Sequence, residues 1–144
     1  MTARFPIEAQ MIMNERFGHD TLIALATSDG AVPFVRAVNS YYENGAFYVI
    51  THALSGKMKQ IRKNPTVAIC GDWFTAHGIG ENLGHVLDEK NAEIISKLRS
   101  AFASWYENGH VNEMDPNTCI LCIRLKNGIL FSQGTKYEID FVNE

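Results

Sequence analysis

An antiparallel β-barrel with helical additions, a mainly β chain of the α+β class, is what this sequence predicts. Six or seven short runs rich in apolar and β-branched residues are separated by tight turn signals, among them Asp29-Gly30, Asn44-Gly45 and Asn127-Gly128. Only Asp88 to Tyr106 carries sustained helical periodicity, with Ile94, Leu98, Ala101, Phe102 and Trp105 in one stripe. The strands follow one another through hairpins and not through crossover helices, which argues against a parallel sheet.

Pro6 opens a first helix, IEAQMIMNERF, since proline is tolerated in a first turn, and Gly18 stops it. Ile7 and Met11 share a face, with Phe17 near the end, and this helix is expected to pack across an open side of the sheet. Thr21 to Ser28 (TLIALATS) reads as a buried strand ended by the Asp29-Gly30 turn. Val32 to Tyr42 is the second strand, with Phe34, Arg36, Val38 and Ser40 on one face and Val35, Ala37, Asn39 and Tyr41 on the other. Glu43-Asn44-Gly45 is taken as a three-residue loop into the third strand, Ala46 to Thr51. In that register Tyr42 pairs with Ala46, and counting back sets Arg36 opposite His52.

Gly56 to Lys63 is a short helix, ended by Asn64-Pro65 because a proline disfavours helix in the residue before it. Thr66 to Asp72 (TVAICGD) is a fourth strand. Trp73 to Val86, interrupted by Gly78, Gly80 and Gly84, is expected to be a strand with a bulge or a close backbone contact. Asp88 is placed to cap the long helix, which Glu107-Asn108-Gly109 should end. Thr118 to Leu125 and Ile129 to Gln133 read as a hairpin across Lys126-Asn127-Gly128, and Lys136 to Phe141 as the strand that closes the sheet. With no internal repeat or linker, residues 1–144 read as one domain.

A formal net charge of −3 and the lack of a long basic run argue against nucleic acid as a partner. No apolar stretch approaches the ~20 residues that span a membrane. The start MTARFPIEAQ lacks the apolar core of a signal peptide, and three cysteines make no disulfide framework, so a cytoplasmic location is expected.

Arg36 and the helix start Ser55-Gly56-Lys57 form a candidate anion pocket, suited to the phosphate of a cofactor. Free N–H groups and the dipole of a helix N-terminus favour negative charge, and arginine adds charge-assisted hydrogen bonds. The alternative is a solvated basic helix. The run from His77 to Gly84 has the glycines of a dinucleotide fingerprint but not its strand–helix setting. Cys119 and Cys122, three apart on a strand, face opposite sides and read as core thiols, and no histidine spacing marks a metal site. His77 and Glu81 are a candidate acid–base pair, or else a surface pair.

Arg36-x-Val38, the strand FYVIT ending at Thr51, Ser55-Gly56-Lys57 with Gln60-Ile61, and Asn64-Pro65 before TVAIC resemble the pyridoxamine 5′-phosphate oxidase-like family of FMN-binding split barrels. The chain is most similar to its short, general-stress-protein-like members. The resemblance implies a flavoprotein homodimer with FMN at the subunit interface and a flavin-dependent oxidoreductase activity of unknown substrate. It implies that Arg36 and Lys57 contact the FMN phosphate, and that Ser55 and Thr51 add hydrogen bonds. The backbone of Arg36, Ala37, Val38 and Asn39, with Ile50, would lie along the flavin, and His52 beside it; Thr75 or His77 would reach the ring edge. Pyridoxamine phosphate oxidases carry a C-terminal Arg-x-His segment that this sequence lacks, so that reaction is not expected. A non-catalytic module binding flavin, haem or a deazaflavin in the same cleft is the alternative, and a barrel with a degenerate site serving only dimer contacts is a third reading. No residue is assigned as a catalytic acid or base.

Overall fold

In the computed structural model, which describes residues 4–141, seven strands and three α-helices alternate in hairpin order. They are α1 (Ile7–Phe17), β1 (Thr21–Ser28), β2 (Pro33–Glu43), β3 (Ala46–His52), α2 (Gly56–Lys63), β4 (Thr66–Gly71), β5 (Phe74–His85), α3 (Ala92–Ala101), β6 (Thr118–Ser132) and β7 (Thr135–Asp140). All pairings are antiparallel, in the order β3-β2-β1-β4-β5-β6-β7, and a further β3–β6 ladder closes the first six strands into a barrel. The expected antiparallel barrel with helical additions is therefore the fold. Closure comes from β3 on β6, however, and the last strand, β7, lies at the edge on the far half of β6.

The barrel is split. β2 and β3 pair only from Tyr41↔Tyr48 to Glu43↔Ala46, next to their turn. From Pro33 to Ser40, β2 bonds to β1 on one side and has no ladder to β3 on the other. The turn itself corrects the expected register. Asn44 and Gly45 both have positive φ, 47° and 81°, which is the two-residue hairpin geometry, so Glu43 pairs with Ala46 and Tyr42 with Phe47. Arg36 is consequently not opposite His52; its neighbour is Leu25 on β1.

The second Asn-Gly behaves differently. β6 runs unbroken for 15 residues through Lys126-Asn127-Gly128, so the expected hairpin there does not exist. Asn127 has no positive φ, and the register against β5 skips Lys126, which makes the segment a bulge. Gly128 meets another need: a Cβ there would sit 2.9 Å from Phe74 Cε1 and 3.0 Å from the Thr75 carbonyl oxygen. The hairpin turn is one step later, at Gln133-Gly134, where φ is 49° and 81°. The expected bulge in the glycine-rich strand β5 is present, between Asn82 and His85, around Gly84 with φ 95°.

α1 plugs the barrel with Ala9, Met13 and Phe17, each fully buried, and Phe17 packs edge-on to Phe47 at 5.5 Å. Ile7 and Met11, expected on the packed face, are 64% and 65% exposed. Both sets have i, i+4 spacing, and the large Phe17 decides for the stripe it shares with Met13 and Ala9. A second core lies under α3, where Ile95, Leu98 and Phe102 cover Val86 and Ile120 on the outside of the barrel. The expected long helix is broken into pieces. A 3-10 turn over Glu89–Asn91, capped by Asp88 Oδ1 accepting from the Lys90 amide at 3.1 Å, precedes α3, and a wider turn follows over Tyr106–His110. Trp105 leaves helical geometry (φ −133°), stacks on Phe102 at 4.8 Å and donates to Asp20 Oδ2 at 2.7 Å. Among the described residues no helix is long and apolar enough to cross a membrane.

Candidate functional site

The short loop from His52 to Ser55 delivers the start of α2 to the open end of the split. Ser55 is the N-cap residue, in extended conformation, but its hydroxyl makes no capping bond. That Oγ is buried and has no hydrogen-bond partner. A buried hydroxyl left this way costs about 1–3 kcal/mol unless something arrives to bond it. Where a Cβ on Gly56 would point there is no atom within 4 Å, so the first turn of α2 faces open space.

Two cations reach the same place from different strands. Lys57 Nζ donates to Thr51 Oγ1 at 2.8 Å, which folds the ammonium back over the end of β3. Arg36, on the inward face of β2, donates from Nη1 to Thr27 Oγ1 at 2.7 Å and to the Leu25 carbonyl oxygen at 3.2 Å. Burial pushes the Lys57 ammonium below the usual lysine range, and the nearby positive charge of Arg36 pushes it further. Burial also lowers Arg36. Among the described residues neither cation is ion-paired with a carboxylate. Two half-buried cations that repel each other stand here beside a buried hydroxyl without a partner and an open helix start, features whose charge and donors match those of a compact dianion.

The structure thus brings Arg36, Thr51, Ser55 and Lys57 together. Along the split from them run Ala37, Val38 and Asn39 on β2 and Ile50 on β3. Val38 packs into the barrel core, Ile50 packs against the core under α3, and Ala37 is exposed. Asn39 Nδ2 donates to Asp20 Oδ1 at 3.0 Å, and the same carboxylate takes the Trp105 indole, so the segment that follows α3 fixes that end of the strip. His52 turns elsewhere: its Nδ1 accepts from the Leu54 amide at 3.2 Å and its Nε2 lies 3.3 Å from Asp115 Oδ2.

Other candidates disperse. His77 is exposed and Glu81 faces Arg124 at 3.5 Å, so the two do not form a pair. Thr75 and His77 line a groove of 580 Å³ with Ile129 and Glu138, on the outer face of β5 and away from Arg36 and Lys57. A second cleft, of 600 Å³ around Ala46, Glu81 and Lys126, is lined by neither cation. The cationic site is a shelf along the split and lies in neither hollow. Cys119 and Cys122 are buried free thiols, and no group of three potential metal ligands occurs among the described residues.

Sequence reasoning missed Thr27 and the role of Gln60, whose Oε1 accepts from Thr27 Oγ1 at 2.5 Å. A signal was present. The period-two pattern of β1 puts Thr27 on the face of Ile23 and Leu25, and a hydroxyl at a core position asks for a polar partner.

Many solved structures match this chain in fold. General stress protein 26 from Bacillus anthracis superimposes with a TM-score of 0.68 over 92% of this chain and 100% of its own, at 16% identity. A proposed pyridoxamine 5′-phosphate oxidase from Listeria innocua gives 0.62 over 84% and 93%, at 15% identity. The chain has the split-barrel fold of the pyridoxamine 5′-phosphate oxidase-like proteins. An FAD-binding protein from Mesorhizobium loti shares this split barrel (TM-score 0.62, 14% identity, 82% and 90% covered), as does a haem-binding protein from Mycobacterium smegmatis (0.63, 12%, 85% and 54%). No protein-family model and no curated protein sequence matches the chain.

Proposed function

We propose that this split-barrel protein binds FMN and is a flavin-dependent oxidoreductase. The observation that carries the reading is the buried, partnerless Ser55 hydroxyl beside two cations that no carboxylate among the described residues neutralises. A phosphate monoester answers all three needs at once: its charge offsets Arg36 and Lys57, and its oxygens accept from Ser55 and from the free amides of α2. Arg36 and Lys57 hold the phosphate in this reading, and Thr51 steadies Lys57. The unpaired edge of β2 from Arg36 to Asn39, with Ile50 across the split, lies along the rest of the ligand, and His52 stands at its margin. Bound flavin supplies hydride and single-electron transfer, while the chain supplies binding, orientation and the local field.

The second wall of the shelf comes, in this proposal, from another copy of the chain. The outer face of β1, β2 and β4 supports a homodimer: Ala24 lies beside Ala37, and Ala26 lies between Val35 and Ala68, a flat surface of small side chains. Leu22 and Val35 stand on it, 62% and 70% exposed. Free thiols in the core fit a reduced, cytoplasmic setting.

The visible spectrum of the purified protein, taken with its native mass, tests the reading. A pair of flavin bands, FMN as the released species and a mass of two chains are expected, and turnover of NADH or NADPH with an artificial acceptor then assigns the oxidoreductase activity. A Soret band favours the haem-binding alternative, for which the mycobacterial neighbour of like fold is the supporting observation. Failure of added FMN to bind sinks the proposal.

A further inference from the structure

The orientation of Arg36 has a cause that reaches across two other elements. Thr27, on β1, is 2% exposed. Its hydroxyl has one proton and two lone pairs, whereas a guanidinium only donates. The 2.7 Å contact from Arg36 Nη1 therefore uses a lone pair on Thr27 Oγ1. The threonine proton must point elsewhere, and Gln60 Oε1, 2.5 Å away, receives it. Donation runs in one direction, from Arg36 to Thr27 to Gln60, and this also fixes the glutamine amide with its oxygen inward. The Leu25 carbonyl takes a second bond from the same Nη1 at 3.2 Å. One nitrogen of the guanidinium is thus anchored, and the remaining N–H groups stay available to an anion. Gln60 lies one turn beyond Gly56 on α2, so the relay ties the strand that carries the arginine to the helix whose first turn carries the free amides.

We propose that Thr27 is a positioning residue of the anion site. Its buried hydroxyl, polarised by Gln60, fixes the Arg36 guanidinium relative to the first turn of α2 and so sets the preference for a phosphate-bearing ligand over the same ligand without phosphate. The inference rests on the flavin-phosphate reading of the site. Pre-organising a cation in its bound orientation removes an ordering cost from binding, and only the phosphate half of the ligand benefits.

FMN and riboflavin, which differ only in the phosphate, are titrated separately into wild type, Thr27→Val, Thr27→Ser and Gln60→Met. Thr27→Val keeps the shape and removes the hydroxyl. It is expected to weaken FMN about tenfold, the equivalent of one charge-assisted hydrogen bond, and to leave riboflavin unmoved. Thr27→Ser restores the FMN preference, and Gln60→Met lowers it by a smaller factor. An unchanged FMN-to-riboflavin ratio in Thr27→Val, or an equal loss for both ligands, overturns the inference and leaves the phosphate reading standing. Should Thr27→Val not fold, an unchanged ratio in Gln60→Met, at a partly buried position, overturns it instead. A wild type that binds both ligands equally, or neither, removes the phosphate reading and this inference together.

Discussion

Arg36 and Lys57 at the start of α2, and Arg99 and Lys97 on α3, are the same residue types in opposite surroundings. On α3 each cation has an acid. Arg99 makes a two-pronged bridge to Glu113, at 2.8 and 2.9 Å, and Lys97 Nζ donates to Glu43 at 2.7 Å. Those carboxylates hold both cations above their ordinary pKa ranges, and Arg99 in turn, with the Tyr106 hydroxyl bonded to the same acid, draws Glu113 down. At α2 the directions reverse: burial and mutual repulsion lower Lys57, burial lowers Arg36, and Ser55 Oγ has no partner. The first arrangement is complete without a ligand and ties α3 and the 111–118 loop to the barrel. The second carries positive charge that no carboxylate among the described residues offsets, which in the proposed reading a bound phosphate relieves. Cation count alone separates nothing here; what separates the two regions is whether the counter-charge belongs to the chain.

Charge reversal gives the largest contrast. Lys57→Glu places a carboxylate beside the proposed phosphate and is expected to weaken FMN by at least about thirtyfold, since disrupting a close charge pair costs about 2–5 kcal/mol. Lys97→Glu, the same change on α3, leaves FMN affinity where it was. Equal losses in isothermal titrations of the two variants break the distinction.

The pH dependence of stability comes next. Lys57 has a folded pKa below its unfolded value, so between the two values the unfolded chain binds more protons and stability rises with pH. Ligand-free wild type is therefore expected to gain melting temperature as pH climbs toward 10.5, the ordinary lysine value, more than Lys57→Met does. Saturating inorganic phosphate removes the difference. Glu113 has the opposite sign: its folded pKa is depressed, so its contribution is present above the usual carboxylate value, 4.5, and is lost as pH falls through the folded one. A wild type and Lys57→Met with parallel pH profiles contradict the uncompensated-charge account.

The smallest effect lies in the satisfied region. Glu113→Gln breaks a partly exposed bridge and is expected to cost about 0.5–1 kcal/mol in urea unfolding, with FMN affinity unchanged. A larger loss of FMN binding than of stability would link the two regions.

How far this was legible in the sequence depends on whether local chemistry or tertiary contact decided each element. β1 and α2 have the expected bounds because turn residues and Asn64-Pro65 punctuate them directly. The two Asn-Gly dipeptides look alike in sequence and differ in structure. Asn44-Gly45 takes positive φ at both positions, whereas Gly128 is required by the approach of Phe74 and the Thr75 backbone, a contact between distant strands. The site followed the same division. Arg36 and Lys57 were visible as residue types beside a helix start, yet the register used to join them was off by one, and they meet because the barrel is split and not because Arg36 faces His52 across a ladder. Thr27 was visible only as a hydroxyl in an apolar stripe; its partners are nine and 33 residues away.

The most direct test of the central claim is the FMN dissociation constant of Arg36→Ala beside that of Arg99→Ala. The account predicts about a hundredfold weaker binding for Arg36→Ala, at the level of riboflavin, and wild-type affinity for Arg99→Ala. Wild-type FMN affinity in Arg36→Ala would contradict it.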